Sequence, residues 1–424
     1  MMTLILTALL IALVFFGLPV FVAITAGAML GLHHSGVDFS AIAIEISRLA
    51  NAPVLLAVPF FTFAGYLLGE GGTSARLVRF SRSILGWIPG GLGVVALVSC
   101  AFFTAVTGAT GVTIIALGGL LFPALISEKY REGFSLGLMT ASGSLGIHFP
   151  PSLPLIFYGF VSGVRIEKLF IAGLLPGSLM VGVLCLFSVF MGKKWKLERP
   201  PFSLSEFLNA LKEAAWELPI PFLIVAAIYS GFATATETAV VTVVYVFMIK
   251  TLVFRELGLT TDIPRIMIDS MKMVGAILIV LGAALGLTNY LVDAFVPMRI
   301  LEFLREMIQS KIGFLIMLNL FLLVVGCMMD IFSAILVVVP LIVPLARQFQ
   351  VDPIHLGVIF LANLAIGYNT PPVGLNLFIA SSRFERPILT LYRATLPFLL
   401  LQLFTLVLIT YWPGLSLFLP SLLN

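Results

Sequence analysis

The run Ile366-Gly367-Tyr368-Asn369-Thr370-Pro371-Pro372-Val373-Gly374-Leu375-Asn376 places glycine and a proline pair inside an otherwise membrane-grade apolar segment. The same punctuation stands earlier, in Leu145-Gly146-Ile147-His148-Phe149-Pro150-Pro151. Gly146 and Gly367 are 221 positions apart, and the two proline pairs repeat that offset. Proline has no N–H and obstructs the carbonyl of the preceding turn. A helix through either pair therefore breaks, freeing carbonyl oxygens near Phe149 and Thr370. Gly146 and Gly367 permit close backbone approach. One Pro-kinked helix is ordinary in a membrane. Two helices broken at matching points of two halves are the sequence mark of a secondary transporter's binding site. Freed carbonyls suit an alkali cation, and the positive end of an opposing half-helix suits an anion.

Composition sets the compartment. Hydrophobic residues make up 60% of the 424 positions and charged residues 10%, against about a quarter charged in soluble domains. The chain reads as an all-α polytopic membrane protein that partners the lipid bilayer. The net charge of +4 does not point to nucleic acid, because the basic residues lie in short loops between apolar spans. Cys100, Cys185 and Cys327 stand singly and read as packing residues. The run from Thr3 to Leu32 is uncharged and ~45 Å long as a helix, so it reads as a retained first crossing rather than a signal core.

Two apolar blocks are too long for one crossing. Block 89–127 would be ~58 Å as a single helix, nearly twice the ~30 Å hydrocarbon core. Thr107-Gly108-Ala109-Thr110-Gly111 interrupts it. Block 312–346 is interrupted by Gly326-Cys327-Met328-Met329-Asp330. A re-entrant helical hairpin solves both cases, and Pro123 and Pro344 follow the two tips at the same offset of 221. Irregular backbone at membrane depth is tolerated only against protein or a wet cavity, so the tips and the breaks imply one enclosed polar site. With the N-terminus inside, the outer side receives Arg48, Arg165, Lys168, Arg299, Arg305, Lys311 and Arg347, which leaves 17 of the 24 Lys and Arg on the cytoplasmic side. The halves are then an inverted repeat, and the C-terminus is periplasmic.

Amphipathic stretches precede both hairpins: Leu77, Phe80 and Ile84 before the first, and Ile300, Phe303, Leu304, Met307 and Ile308 before the second. Ser203 and Glu206 form a capping-box pattern after the basic linker Lys193 to Arg199. Asp330 reads either as a functional ionisable residue or as the cap of the second hairpin arm. Glu237 divides similarly between a polar core role and the first turn of a helix capped by Thr234 or Thr236. The Thr107 and Thr110 hydroxyls read either as helix-packing groups or as ligands of an ion or substrate. His33, His34, His148 and His355 form no metal set, and no Walker loop, dinucleotide fingerprint, H-E-x-x-H or G-x-S-x-G motif is present.

Several of these segments together resemble the large membrane subunit of the tripartite ATP-independent periplasmic (TRAP) transporters. They are Phe102-Phe103-Thr104-Ala105-Val106-Thr107-Gly108, Gly143 to Ser152, Thr236-Glu237, Asp330 with Pro340 and Pro344, Asp352 to Gly357, and Thr370 to Leu377. The resemblance implies an elevator-type, sodium-coupled symporter of the bacterial inner membrane that imports a small organic acid such as a C4-dicarboxylate or a sialic acid. It implies two partners, a small four-helix membrane subunit and a periplasmic substrate-binding protein, and no enzyme activity. It places one Na+ at Thr107, Ala109, Gly146, Phe149 and Pro151, and a second at Gly326, Gly367, Thr370 and Pro372. Substrate candidates are Thr110, Ser144, Asp330, Asn369 and Asn376. Relatives often carry Ser-Gly-Ser-Ser at the first tip; here Ala109 has no hydroxyl, so a ligand there is main-chain carbonyl. The implied division is 1–72 scaffold helices; 73–192 the first repeat of interfacial helix, hairpin and broken helix; 193–298 linker, surface helix and scaffold; 299–387 the second repeat; and 388–424 a C-terminal scaffold helix. A stand-alone ion-coupled carboxylate or oxyanion permease is the alternative, and an integral membrane enzyme a remote one.

Overall fold

The computed structural model describes residues 20–35, 53–197, 201–230, 232–295 and 310–422, with Asp38, Ser40, Ile44 and Ser47 singly between. Every regular element among the described residues is helical. The amphipathic stretch at 300–308 and the first part of the run from Thr3 lie outside the described residues.

The first half begins with α1 (Val20–Ser35) and α2 (Ala57–Gly69). Next comes α3 (Thr73–Leu85), the amphipathic stretch, which buries Thr73, Leu77 and Ser81 along one side. The expected first hairpin is α4 (Gly91–Thr107) and α5 (Thr110–Ser127). The first broken helix is α6 (Glu132–Ser142), a single 3-10 turn at Leu145–His148, and α7 (Leu153–Ser162). It is followed by the long α8 (Ile166–Lys194).

The linker leads to α9 (Leu204–Ala214), whose first turn Ser203 caps by accepting from the Glu206 N–H. The Glu206 carboxylate does not close the box; it takes a 2.8 Å bond from Arg79 on α3. The apolar block at 217–250 divides into α10 (Pro219–Tyr229) and α11 (Ala235–Met248). Thr234 starts α11 with a complete capping box, in which the Glu237 carboxylate returns to the Thr234 N–H at 2.8 Å. Glu237 is therefore a cap. A π-helical turn (Ile249–Val253) ends α11, and α12 (Asp262–Asp293) follows.

The second half repeats the first. Its hairpin is α13 (Lys311–Met328) and α14 (Ile331–Gln348), and its broken helix is α15 (Pro353–Gly367) and α16 (Leu375–Phe384). α17 (Ile388–Tyr411) and α18 (Gly414–Ser421) close the chain. Thr107 to Met328, Thr110 to Ile331 and Ser127 to Gln348 each span the offset of 221. The repeat seen as punctuation is thus a repeat of helix ends. Seven described segments are long and apolar enough to cross a membrane: α5, α8, α11 with its π turn, α12, α13, α14 and α17.

The halves interlock. α5 packs on α16, and α14 packs on α7, so each hairpin's returning arm lies against the other half's post-break helix. Phe157 and Phe332 meet edge-to-face at 5.4 Å in one of these contacts. In the other, the Arg383 guanidinium donates to the Ile115 carbonyl at 2.9 Å. α17, expected among the scaffold helices, packs along α6 and also touches α8, α15 and α16. On the opposite side α1, α2, α11 and α12 pack on one another, with α10 laid against α11. They meet the hairpin-bearing part through α2 on α4 and α7, and through α12 on α14.

A buried charge cluster joins α3 to that outer group. Arg76 forks onto Glu217 at 2.6 and 3.0 Å and also bonds Glu256. Lys250, from the π turn, lies 2.9 Å from Glu256 and 3.7 Å from Glu217. The side chains of Glu217 and Lys250 are 1% and 0% exposed, so neither charge is hydrated and each depends on the other members. Burial alone would raise the Glu256 carboxyl. The hydrogen bonds from Arg76 and Lys250 outweigh it and hold the group at about 2, below its ordinary 4.5.

Replacing Glu217 with Ala leaves Arg76 and Lys250 sharing the single carboxylate of Glu256, an uncompensated buried positive charge that should cost about 3–5 kcal/mol of stability, read as a lower thermal midpoint in detergent. A lowered carboxylate contributes in full above its unfolded value and loses that contribution as the pH falls through the folded one. The Glu256 contribution should therefore be complete above pH 4.5 and vanish toward pH 2, and Glu256→Gln should flatten the melting profile across that window.

Candidate functional site

Each break is held open by a backbone-to-backbone contact with its own hairpin. A Cβ on Gly146 would lie 2.3 Å from the Ala101 oxygen and 2.5 Å from the Ala105 nitrogen, both on α4. A Cβ on Gly367 would lie 2.5 Å from the Gly326 carbonyl carbon and 2.9 Å from the Cys327 nitrogen, at the end of α13. Ala105 and Gly326 are themselves 221 apart, so the two glycines make the same contact in each half. Beyond the first break Phe149 is extended (φ −98°, ψ 140°) and α7 restarts at Leu153. Beyond the second, Gly374 takes φ +56° and donates to the Cys327 carbonyl at 3.0 Å, which ties the restart of α16 to the hairpin end. The Pro150–Pro151 and Pro371–Pro372 bonds are both cis.

The hairpin tips differ at one decisive position. At the second, Asp330 accepts from the Phe332 and Ser333 N–H groups at 3.0 Å, and Ile331 N–H donates to the Tyr368 hydroxyl at 2.6 Å. Asp330 is therefore the cap of α14, and its charge answers the positive end of that helix. The residue 221 positions earlier is Ala109, which begins α5 with no side-chain cap. The first tip is held from below instead. The Thr104 hydroxyl donates to the Gly143 carbonyl at 2.9 Å and lies 2.6 Å from the Thr113 hydroxyl. Thr107 turns its hydroxyl back to the Phe103 carbonyl at 2.8 Å, and Gly108 turns the corner at φ +68°. Thr110 is half-buried, and its carbonyl faces Gly143.

A side-chain network joins the breaks through the centre. Ser144 donates to the Ala365 carbonyl at 2.9 Å. The Asn369 amide lies 3.5 Å from Ser144 and 3.3 Å from Gln402, and Asn376 donates to the Asn369 oxygen at 3.2 Å. Gln402 reaches the Ala141 carbonyl at 3.4 Å. Ser144, Asn369, Asn376 and Gln402 are all fully buried, and the Asn376 side-chain oxygen has no protein donor. A buried acceptor without a partner is costly, and here it stands in the first turn of a helix that restarts after a break. Thr370 and Pro372 lie at the rim: Thr370 donates to Ile366, and the Pro372 carbonyl accepts from Tyr392 at 2.5 Å. His148 is sealed beneath Gly173 and Gly177 of α8, with both ring nitrogens unpartnered.

The structure therefore gathers the sequence candidates into three groups: Thr107, Ala109, Gly146, Phe149 and Pro151 about the first break, Gly326, Gly367, Thr370 and Pro372 about the second, and Ser144, Asn369 and Asn376 between them. Asp330 is committed to capping. Gln402 was not foreseen. Its one signal is a lone amide in the apolar stretch Leu399-Leu400-Leu401-Gln402-Leu403-Phe404. No three His, Cys, Asp or Glu gather among the described residues; beside the capping carboxylate of Asp330, the oxygens named at the site are main-chain, hydroxyl and amide.

The family model for the tripartite ATP-independent periplasmic transporter, DctM component, matches residues 7–415. The chain belongs to the DctM family of TRAP transporters. This DctM-family chain is 34% identical to the C4-dicarboxylate TRAP transporter large permease protein DctM of Pseudomonas aeruginosa, over 94% of this chain and 93% of that one. It is 33% identical to the isethionate TRAP transporter permease protein DctMQ of Oleidesulfovibrio alaskensis, over 95% of this chain and 64% of the longer relative. The solved structure of the Alcanivorax borkumensis YdaH transporter, described as having an unusual topology, shares the fold. Its TM-score is 0.62 at 15% identity, covering 89% of this chain and 88% of that one. The protein is a multi-pass membrane transport subunit and not an enzyme.

Because backbone faces both hinge glycines, even one methyl group overpacks them. Gly146→Ala and Gly367→Ala should each cost about 1–3 kcal/mol. Gly182→Ala on α8, where a Cβ meets nothing within 4 Å, should stay within about 0.5 kcal/mol of the parent. Thermal unfolding of the three variants in one detergent makes the comparison.

Proposed function

We propose that this chain is the large permease subunit of a sodium-coupled importer of a small organic acid. The observation that carries the reading is the pair of helix breaks, each pressed through a glycine onto its own hairpin and joined by buried amides with one acceptor unsatisfied. The interrupted ends of α6 and α15 present carbonyl oxygens, which favour a cation, while the starts of α7 and α16 present N–H groups, which favour an anion. We assign one Na+ to the oxygens about Thr107, Ala109, Gly146, Phe149 and Pro151, and a second to those about Gly326, Gly367, Thr370 and Pro372. The acid sits between them, against the uncapped start of α5 at Thr110 and the polar groups of Ser144, Asn369 and Asn376. Sodium supplies the positive charge that this neutral site lacks, so the acid binds well only when the ions are present.

The packing supports an elevator arrangement in which hairpins, broken helices, α8 and α17 form the moving body and α1, α2 and α10 to α12 the frame. On this division α17 goes with the body. We place the basic loop ends, including Lys193, Lys194 and Lys196, in the cytoplasm, with the N-terminus inside and the C-terminus outside. A small membrane subunit completes the frame, and a periplasmic binding protein delivers the acid. Permeases for a dicarboxylate and a sulfonate match this chain almost equally, at 34% and 33% identity. Overall likeness thus leaves the acid group itself to the binding protein.

In proteoliposomes, uptake of the cognate acid should require an inward sodium gradient, the small subunit and the binding protein together. Asn376→Leu should lower the rate at least tenfold while leaving membrane insertion intact, with a stability loss of no more than about 1–3 kcal/mol for the Asn369 oxygen it leaves without a donor. Uptake indifferent to sodium defeats the coupling, and full uptake by this chain alone identifies a stand-alone permease instead.

A further inference from the structure

Away from the transport site, α6, α8 and α17 enclose a side groove of about 740 Å³. Phe134, Phe187 and Phe398 form its floor, with ring centroids 5.7, 5.2 and 5.3 Å apart. Met191, Leu389 and Pro397 line its walls. The mouth has a different chemistry. Arg131 and Arg393 both line it, both are exposed, and neither has a carboxylate partner among the described residues. Arg131 lies over the Trp195 ring at 5.2 Å. The nearest acid in sequence, Glu132, is already held by Arg386 at 2.7 Å, so it does not neutralise Arg131. Pro397 has no N–H to offer the carbonyl four residues back, so Arg393 brings a free main-chain acceptor as well as its guanidinium to the same place.

The two chemistries are ordered by depth. Arg131 precedes α6, Trp195 follows α8, and Arg393 lies in the second turn of α17, so charge and indole gather where three helices meet the membrane surface. Phe398 lies about 15 Å further along α17 than Ile388, at 1.5 Å per residue, within the hydrocarbon. An amphiphile with an anionic head and an acyl chain fits both parts. A soluble anion would leave the aromatic floor unused, and a neutral lipid would leave two guanidinium groups without a counter-charge. Basic pockets between spanning helices bind phosphate headgroups, and an arginine pair grips phosphate oxygens through fixed N–H forks.

We propose that this groove is a site for an anionic phospholipid. The phosphate lies between Arg131 and Arg393, the headgroup donors reach the Arg393 carbonyl, and one acyl chain runs over Phe134, Phe187 and Phe398. The site is formed by the same three helices that position Ser144 and Gln402, so on the elevator reading proposed above its occupant travels with them. The inference does not depend on which acid or ion the transporter carries.

The test uses the full chain in phosphatidylcholine nanodiscs to which phosphatidylglycerol or inorganic phosphate is added. Native mass spectrometry should show phosphatidylglycerol retained at least fivefold over phosphatidylcholine. Brominated phosphatidylglycerol should quench a fluorescence component that Trp195→Phe removes. Arg131→Gln with Arg393→Gln should abolish the preference. Thr390→Trp, which fills the exposed mouth and keeps both charges, should weaken it as well and covers the case in which the double variant does not fold. Equal retention of the two lipids, a preference that survives both variants, or displacement of the lipid by millimolar inorganic phosphate each overturns the proposal.

Discussion

A helix cannot stop inside hydrocarbon unless something else takes up its main chain. In this protein the neighbouring hairpin and a few buried side chains do so: Thr104 takes the Gly143 carbonyl, Ser144 the Ala365 carbonyl, and the Cys327 carbonyl the Gly374 N–H. Gly146 lies against α4 and Gly367 against the end of α13, with backbone atoms where any side chain would begin. The rest follows from those two contacts. The hairpins turn back at Thr107–Thr110 and Met328–Ile331 because their tips abut the breaks, and the amide network can close because the breaks lie side by side. Proline ends the helices, but glycine determines what they rest on.

The two halves are alike in backbone and unlike in chemistry. Asp330 neutralises the start of α14, whereas Ala109, its counterpart, leaves the start of α5 bare. His148 and Asn369 are counterparts as well: one is sealed without partners, the other is the hub of the central network. A strictly symmetric pair of sites would bind the same ligand twice. The departures concentrate uncompensated N–H character at one tip and make the two tips chemically distinguishable.

Much of this was legible in the sequence because it depends on local rules and a fixed offset. Pro150-Pro151 and Pro371-Pro372 mark breaks wherever they occur in a helix, and block lengths alone required hairpins. The capping roles of Asp330 and Glu237 were among the readings that short-range patterns allow. The features that escaped are those made by distant pairs. Arg76 meets Glu217 and Glu256 across 141 and 180 positions, and nothing in its neighbourhood announces either partner. Gln402 is one polar residue in an apolar crossing, and only the packing of α17 along α6 and α15 brings it to Ala141 and Asn369. The division of the block at 217–250 is announced only by a helix cap at Thr234, with no proline pair to mark it.

The exchange of returning arms, α5 onto α16 and α14 onto α7, bears on biogenesis. Residues 110–127 pack on α4 and α6 but complete their burial only once residues 375–384 have left the ribosome, so the first hairpin waits through most of translation without its final neighbour. A chain assembled this way matures late and all at once.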